Sequence, residues 1–245
     1  MTDYYPAKEM VDIHCHILPN VDDGSDGFDS TIKMLKTAKD EGITRMIATP
    51  HFKKGHHNVS PEAAEKLLDE IRTKADNEGI ALKFYLGNEV MYFSDVEEAF
   101  DAGKINRING TDNLLIEFYP DDEYSRIRRG IETVQSMGFT PILAHVERYL
   151  ELRKDTSKIE HLKAVGAVIT VNASSVTGDA GFLTKQFVKG LLRRKLVDMI
   201  GTDAHDTSNR APRMKKCAEY LYSKYEEEYV DEILFKNAIE IFELD

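Results

Sequence analysis

The chain has 245 residues, 42% hydrophobic and 31% charged, and its 43 Asp and Glu outweigh 32 Lys and Arg for a formal net charge of −11. That length suits one large α/β domain without a second core, so residues 1–245 are read as a single domain with an N-terminal extension at 1–9. The acidic balance argues against nucleic-acid binding, which recruits positive surface, and no apolar run approaches the roughly 18 residues of a membrane span.

The opening Met1-Thr2-Asp3-Tyr4-Tyr5-Pro6 lacks the basic and apolar regions of a signal peptide, and Cys15 and Cys217 are too few for a disulfide framework. A cytoplasmic location with reduced thiols and no direct membrane insertion is expected. Strand-like runs then follow at Val11 to Ile13, Ile43 to Thr49, Ala81 to Gly87, Asn113 to Phe118, Thr140 to Ala144, Ala167 to Val171 and Val197 to Gly201. Their starts lie about thirty residues apart, the length of a β-α repeat, which predicts parallel strands. Helical stripes intervene: Leu67, Ile71, Ala75; Ile127, Ile131, Val134; Met214, Cys217, Leu221, Tyr225; and Val230, Leu234, Ala238, Phe242. Gly42, Gly79, Gly138 and Gly166 stand before strands, where helix ends call for a left-handed residue. The alternation favours a closed barrel of parallel strands, with an open doubly wound sheet as the alternative.

The strand ends carry the chemistry. His14 and His16 close the first run, two residues apart and so on one side of an extended chain. His51, Glu89, Glu117 and His145 close the second, third, fourth and fifth runs, and Asp203 with His205 closes the last. Asn172 takes the corresponding place in the sixth. In parallel barrels these ends form the active face, and eight nitrogen and oxygen donors exceed the needs of one four-coordinate ion. Two or three divalent ions are expected. Cys15 should point away from its histidine neighbours, and a cysteine-based phosphatase loop is excluded because Val21 and Ser223 stand where its arginine would be. Walker A and dinucleotide motifs are absent.

His14-Cys15-His16-Ile17-Leu18-Pro19-Asn20-Val21-Asp22-Asp23-Gly24, Ala48-Thr49-Pro50-His51, Gly87-Asn88-Glu89, Ile116-Glu117-Phe118, His145-Val146-Glu147-Arg148 and Thr202-Asp203-Ala204-His205 resemble the bacterial tyrosine phosphatases of the PHP superfamily, the capsule-regulating type. The resemblance implies a distorted, TIM-like (β/α)7 barrel, the PHP fold, and a trinuclear site of manganese first, iron or zinc otherwise. It implies the metal ligands His14, His16, His51, Glu89, Glu117, His145, Asp203 and His205, with Asp23, Arg148 and Arg210 as non-ligand catalytic residues. It also implies a substrate, the phosphorylated tyrosine-rich tail of a bacterial tyrosine kinase that controls capsule or exopolysaccharide synthesis. Val146 departs from the proline usual there.

Chemistry at the residue level agrees with such roles. Arginine forks suit phosphoryl oxygens, and Arg148 and Arg210 follow closely on His145 and His205. The expected reaction is in-line attack by a metal-bridging hydroxide without a cysteine phosphoenzyme, Glu89 bridging the metals and Asp23 assisting the leaving phenolate. Lys53-Lys54-Gly55-His56-His57 is a basic stretch beside His51 that could attract acidic tails. Two other functions fit the same ligands: a phosphoesterase acting on histidinol phosphate or another small monoester, and a noncatalytic metal-stabilised regulator.

Overall fold

Apolar, β-branched residues dominate the predicted strand runs, and a strand lies in each. The computed structural model describes residues 9–245; Tyr4 and Tyr5 lie outside the described residues. The strands are β1 (Val11–Cys15), β2 (Arg45–Ala48), β3 (His51–Phe52), β4 (Lys83–Leu86), β5 (Glu89–Met91), β6 (Asn113–Glu117), β7 (Thr140–Leu143), β8 (Val168–Asn172) and β9 (Met199–Gly201). Every pairing among them is parallel. One sheet has the order β1-β2-β4 and the other β3-β5-β6-β7-β8-β9.

The second and third runs hold β2 and β4, and each is followed after a two-residue break by a short strand beyond the predicted run, β3 and β5. Pro50 has no N–H to give to a ladder, and its carbonyl accepts both Glu89 N at 3.1 Å and the Asn88 side-chain amide at 2.8 Å. The chain therefore turns between β2 and β3 and again between β4 and β5, and His51 pairs directly with Glu89 on the far side of the break. The first and last strands also meet: His16 N donates to Ala204 O, and Asp203 N to His14 O, both at 2.8 Å. Gly201 permits this approach, since a Cβ there would sit 2.8 Å from the His14 Cβ.

Helices cover the outside of the strands. Pro61–Asn77 starts at Ser60, whose side chain accepts from Ala63 N, and buries Ala64, Leu68, Ile71 and Ala75. Tyr124–Ser136 buries Ile127, Ile131 and Val134 as the stripe predicts. The four glycines before strands all have positive φ, from 64° at Gly79 to 92° at Gly166. The Met214 stripe is shorter than predicted, the helix running only over Lys215–Tyr222. The last stripe divides at a π turn over Glu232–Lys236: Val230 and Leu234 join the large core between strands and helices, while Ala238 and Phe242 join a smaller cluster among the strands.

That smaller cluster gathers Val11 and Ile13 of β1, Ile47 of β2, Tyr85 of β4, Leu115 of β6, Ile142 of β7 and Met199 of β9. It forms an apolar floor beneath the strand ends, closed by Phe242 and Leu244. Phe242 is fully buried, so Phe242→Ala is expected to cost roughly 3–5 kcal/mol of stability. Denaturant unfolding monitored by circular dichroism measures it; a change below about 1 kcal/mol would mean that the floor does not depend on this ring.

Candidate metal centre

The site begins with a register slip. Between Asp12 and Cys15, β1 moves by one residue relative to β2, a bulge of the kind that re-aims side chains beside active sites. Val11 and Ile13 stay in the apolar floor, Cys15 packs into the outer core, and His14 and His16 bring their Nε2 atoms within 3.2 Å of one another. Cys15 is wholly buried and its Sγ donates to Ile47 O; burial and nearby carboxylates push its thiol well above the usual range, the opposite of a nucleophile.

Glu89 is the hub. Fully buried, it places Oε2 at 3.2 Å from His14 Nε2, 3.3 Å from His16 Nε2 and 3.0 Å from His51 Nδ1, with Oε1 2.8 Å from His145 Nε2. Glu117 Oε1 lies 3.3 Å from His51 Nδ1. Asp203 Oδ1 stands 3.7 Å from both His14 and His16 Nε2. Asp23 Oδ1 is 3.2 Å from His51 Nε2 and 3.6 Å from His205 Nε2. Three groups of donors thus converge: His14, His16 and Glu89; His51, Glu89 and Glu117; and His16, Asp23, His51 and His205. All eight residues expected as ligands, and Asp23 with them, meet at one end of the strands.

The donors suit divalent ions. Metal–ligand distances of about 2.0–2.2 Å put neighbouring donors roughly 3.0–3.5 Å apart around one ion, which matches the spacing about Glu89. His51 Nδ1, Glu89 Oε2 and Glu117 Oε1 are buried without a hydrogen-bond partner, an expensive arrangement unless a cation engages them. Imidazole and carboxylate together fit manganese, iron or zinc.

The field inside the site favours positive charge. Burial works against a charged His16, yet the hydrogen bond to Asp22 and the Glu89 carboxylate 3.3 Å away outweigh it and lift the imidazole to about 10. His51 rises to about 9, burial again being outweighed by Glu117 and Glu89. Burial opposes ionisation of Glu89 too, but His14 and its neighbours hold this carboxyl well below the usual range. His205, pressed by burial and by His16, falls to about 3.

Backbone strain marks two of these positions. His145 (φ 32°) and Asp203 (φ 54°) follow β7 and β9 in the left-handed region, a conformation that costs non-glycine residues and clusters at functional sites. His145 opens the tight turn Val146–Arg148, and this turn sends the Arg148 guanidinium onto Asp203 Oδ2. The loop after His205 closes on itself, His205 N donating to Arg210 O at 2.8 Å, so that Arg210 returns to Asp203 Oδ1 at 2.8 Å. Both arginines thus stand at the edge of the site and grip a candidate ligand from outside.

Several supporting residues had no role assigned to them from the sequence. Asp22 accepts from His16 Nδ1 at 2.8 Å and from His51 N at 3.0 Å; it turns His16 Nε2 inward, as carboxylates behind metal-bound histidines do. Asp12 is fully buried and takes Thr202 N and its hydroxyl, tying β1 to the Asp203 segment; burial raises it to about 6. Asn172 donates to Asp203 Oδ2 at 3.0 Å. Gly24 explains the Asp-Asp-Gly motif, because a Cβ there would lie 2.3 Å from His16 O: only glycine lets the loop fold over His16 and deliver both aspartates. Lys54, in the basic stretch, is paired with Asp95 and sits over the Phe93 ring, so part of that charge is already spoken for. Of the remaining histidines, His56 and His57 line a separate groove and His161 bonds Tyr124.

Parallel strands whose C-terminal ends pool histidines and carboxylates define a metal-dependent hydrolase. Residues 10–243 match the family model for capsular polysaccharide synthesis, CpsB/CapC. The tyrosine-protein phosphatase YwqE of Bacillus subtilis is 33% identical over 202 residues, 82% of this chain and 79% of that protein. CpsB of Streptococcus pneumoniae, also a tyrosine-protein phosphatase, is 27% identical over 237 residues, 95% of this chain and 98% of that one. A crystal structure from work on YwqE and CpsB, described as unique metal-dependent tyrosine phosphatases, superposes with a TM-score of 0.89 at 30% identity, covering 96% and 95% of the two chains. The phosphotriesterase homology protein of Escherichia coli shares the fold alone, at a TM-score of 0.63 and 12% identity over 96% and 99%. The chain belongs to the CpsB/CapC family.

Proposed function

We propose that this chain is a metal-dependent protein-tyrosine phosphatase, acting in the cytoplasm on the phosphorylated tail of a bacterial tyrosine kinase in capsule or exopolysaccharide synthesis. The observation that carries the reading is Glu89 shared between two of three convergent donor groups, with Arg148 and Arg210 at their edge. The relatives' activity and the family's description support the substrate and the pathway. Location rests on two free, buried cysteines and on the lack, among the described residues, of a helix able to cross a membrane.

Divalent ions held by His14, His16, His51, Glu89, Glu117, His145, Asp203 and His205 would supply positive charge and a water activated near neutral pH. The chain's own residues do the rest. Arg148 and Arg210 line one cavity and present their remaining donors to phosphoryl oxygens while holding Asp203 in place. Asp22 fixes the tautomer of His16. For Asp23 the geometry supports a donor role beside His16, His51 and His205 in place of an acid. Among the described residues, the exposed large hydrophobics Tyr119, Leu150, Phe182 and Leu183 follow β6, β7 and β8 in the chain, in segments that leave the strand ends carrying the site; apolar surface there suits a protein substrate better than a small metabolite. We also infer that β2 with β3, and β4 with β5, are halves of single strands, so that one domain forms a distorted seven-stranded barrel.

Elemental analysis of purified protein, combined with hydrolysis of a phosphotyrosine peptide before and after chelation, tests the function. Two or three ions per chain are expected, with turnover lost on chelation, restored by manganese and retained in Cys15→Ser. Faster hydrolysis of histidinol phosphate would point to a small-molecule phosphoesterase. No hydrolysis of any monoester by metal-loaded protein would leave a regulator. Chelator-resistant turnover, or its loss in Cys15→Ser with metal intact, would overturn the mechanism.

A further inference from the structure

The cavity of about 470 Å³ that takes in Arg148 and Arg210 also holds two cations with no part in the chemistry above, Arg213 and Lys216. With water's share of liquid volume at about 30 Å³, the space greatly exceeds one phosphate group. Arg148 and Arg210 are engaged with Asp203. Arg213 is exposed and, among the described residues, forms no hydrogen bond or ion pair, acting through space on Asp179, whose carboxyl it helps hold below the usual range. Lys216 has one acidic partner, Asp179, at 3.2 Å, both side chains well exposed at 70% and 61%; such a surface pair is weak and readily exchanged. Four cations and three carboxylates, Glu41, Asp179 and Asp203, line this cavity, so in a chain of net charge −11 it is a locally cationic place that favours an anionic substrate.

We propose that Arg213 and Lys216 form a second anion subsite beside the metal centre, selecting phosphotyrosine segments that carry another anionic group close to the phosphotyrosine. That group is a carboxylate side chain or a second phosphate, which share the chemistry the two cations recognise. The proposal rests on the phosphatase reading and adds the substrate class. Asp179 acts as a competing internal anion, tethering Lys216 until the substrate displaces it.

The test compares kcat/KM of the metal-loaded protein on three peptides of one backbone: phosphotyrosine with neutral flanks, with glutamate flanks, and with a second phosphotyrosine nearby. The wild type is expected to prefer the anionic peptides by about tenfold, expressed in KM more than in kcat. Arg213→Ala with Lys216→Ala should erase the preference, Arg213→Lys should retain most of it, and Asp179→Asn should strengthen it by about threefold. The anionic peptide that depends more on the two cations identifies the source of the second charge. Equal use of all three peptides by the wild type, or a preference that survives the double variant, overturns the subsite. A small aryl phosphate separates the two failures: if it is hydrolysed and no preference appears, only the subsite falls; if it is not hydrolysed, the phosphatase reading falls with it.

Discussion

Glu89→Gln is expected to lower kcat/KM on a phosphotyrosine peptide by roughly 10³-fold, with most bound metal lost. The substitution keeps the shape of the side chain and removes its charge. Glu89 is closely ringed by imidazoles: its two oxygens face four of them between 2.8 and 3.3 Å, and it is the carboxylate common to two donor groups. Neutralising it leaves each group short of an anion at once, so metal affinity and turnover should fall together. Glu117 belongs to one group only, and Glu117→Gln should lose less, about 10- to 100-fold. Elemental analysis and steady-state kinetics on the two variants, with circular dichroism to check the fold, give the comparison. Full activity in Glu89→Gln, or a greater loss in Glu117→Gln, would show that the centre is not organised around Glu89.

Both carboxylates were expected in the site from the sequence, with Glu89 as the bridging one; the distances that set Glu89 apart from Glu117 were not. Ligand candidates were legible because each closes an apolar run, and parallel strands gather such ends at one face. The glycines before strands were legible for an equally local reason. What stayed hidden depends on contacts between distant segments. Nothing in Val11 to Cys15 announces that β1 slips against β2, and Pro50 was visible as a residue while its effect, a break shared by two neighbouring strands, needs Asn88 and Glu89 beside it. Asp22 belonged to the quoted motif, but its hold on His16 and on the His51 backbone joins two loops. Arg148 and Arg210 were picked out by spacing from histidines, and their meeting on Asp203 follows from two turns whose closure no spacing reveals. The final apolar stripe has constant period, and only the π turn shows that it serves two cores.

Asp23→Asn is the change that most sharply separates two roles for one carboxylate. A general acid must keep its proton until the leaving oxygen needs it, and enzymes secure this by burial or a like charge. The Asp23 side chain is 65% exposed, and its neighbours at 3.2 and 3.6 Å are imidazoles. Those surroundings suit a carboxylate that donates to a cation. The expected result is therefore a fall in kcat/KM of about 10²-fold that is the same for aryl phosphates with good and poor leaving groups, accompanied by loss of part of the bound metal. An acid predicts the reverse pattern: metal content intact, and a loss that grows steeply as the leaving phenol becomes more basic, because only poor leaving groups need the proton. A series of substituted phenyl phosphates assayed beside elemental analysis distinguishes the two. A slope that steepens in Asp23→Asn with undiminished metal would return Asp23 to the acid role and remove it from the donor group of His16, His51 and His205.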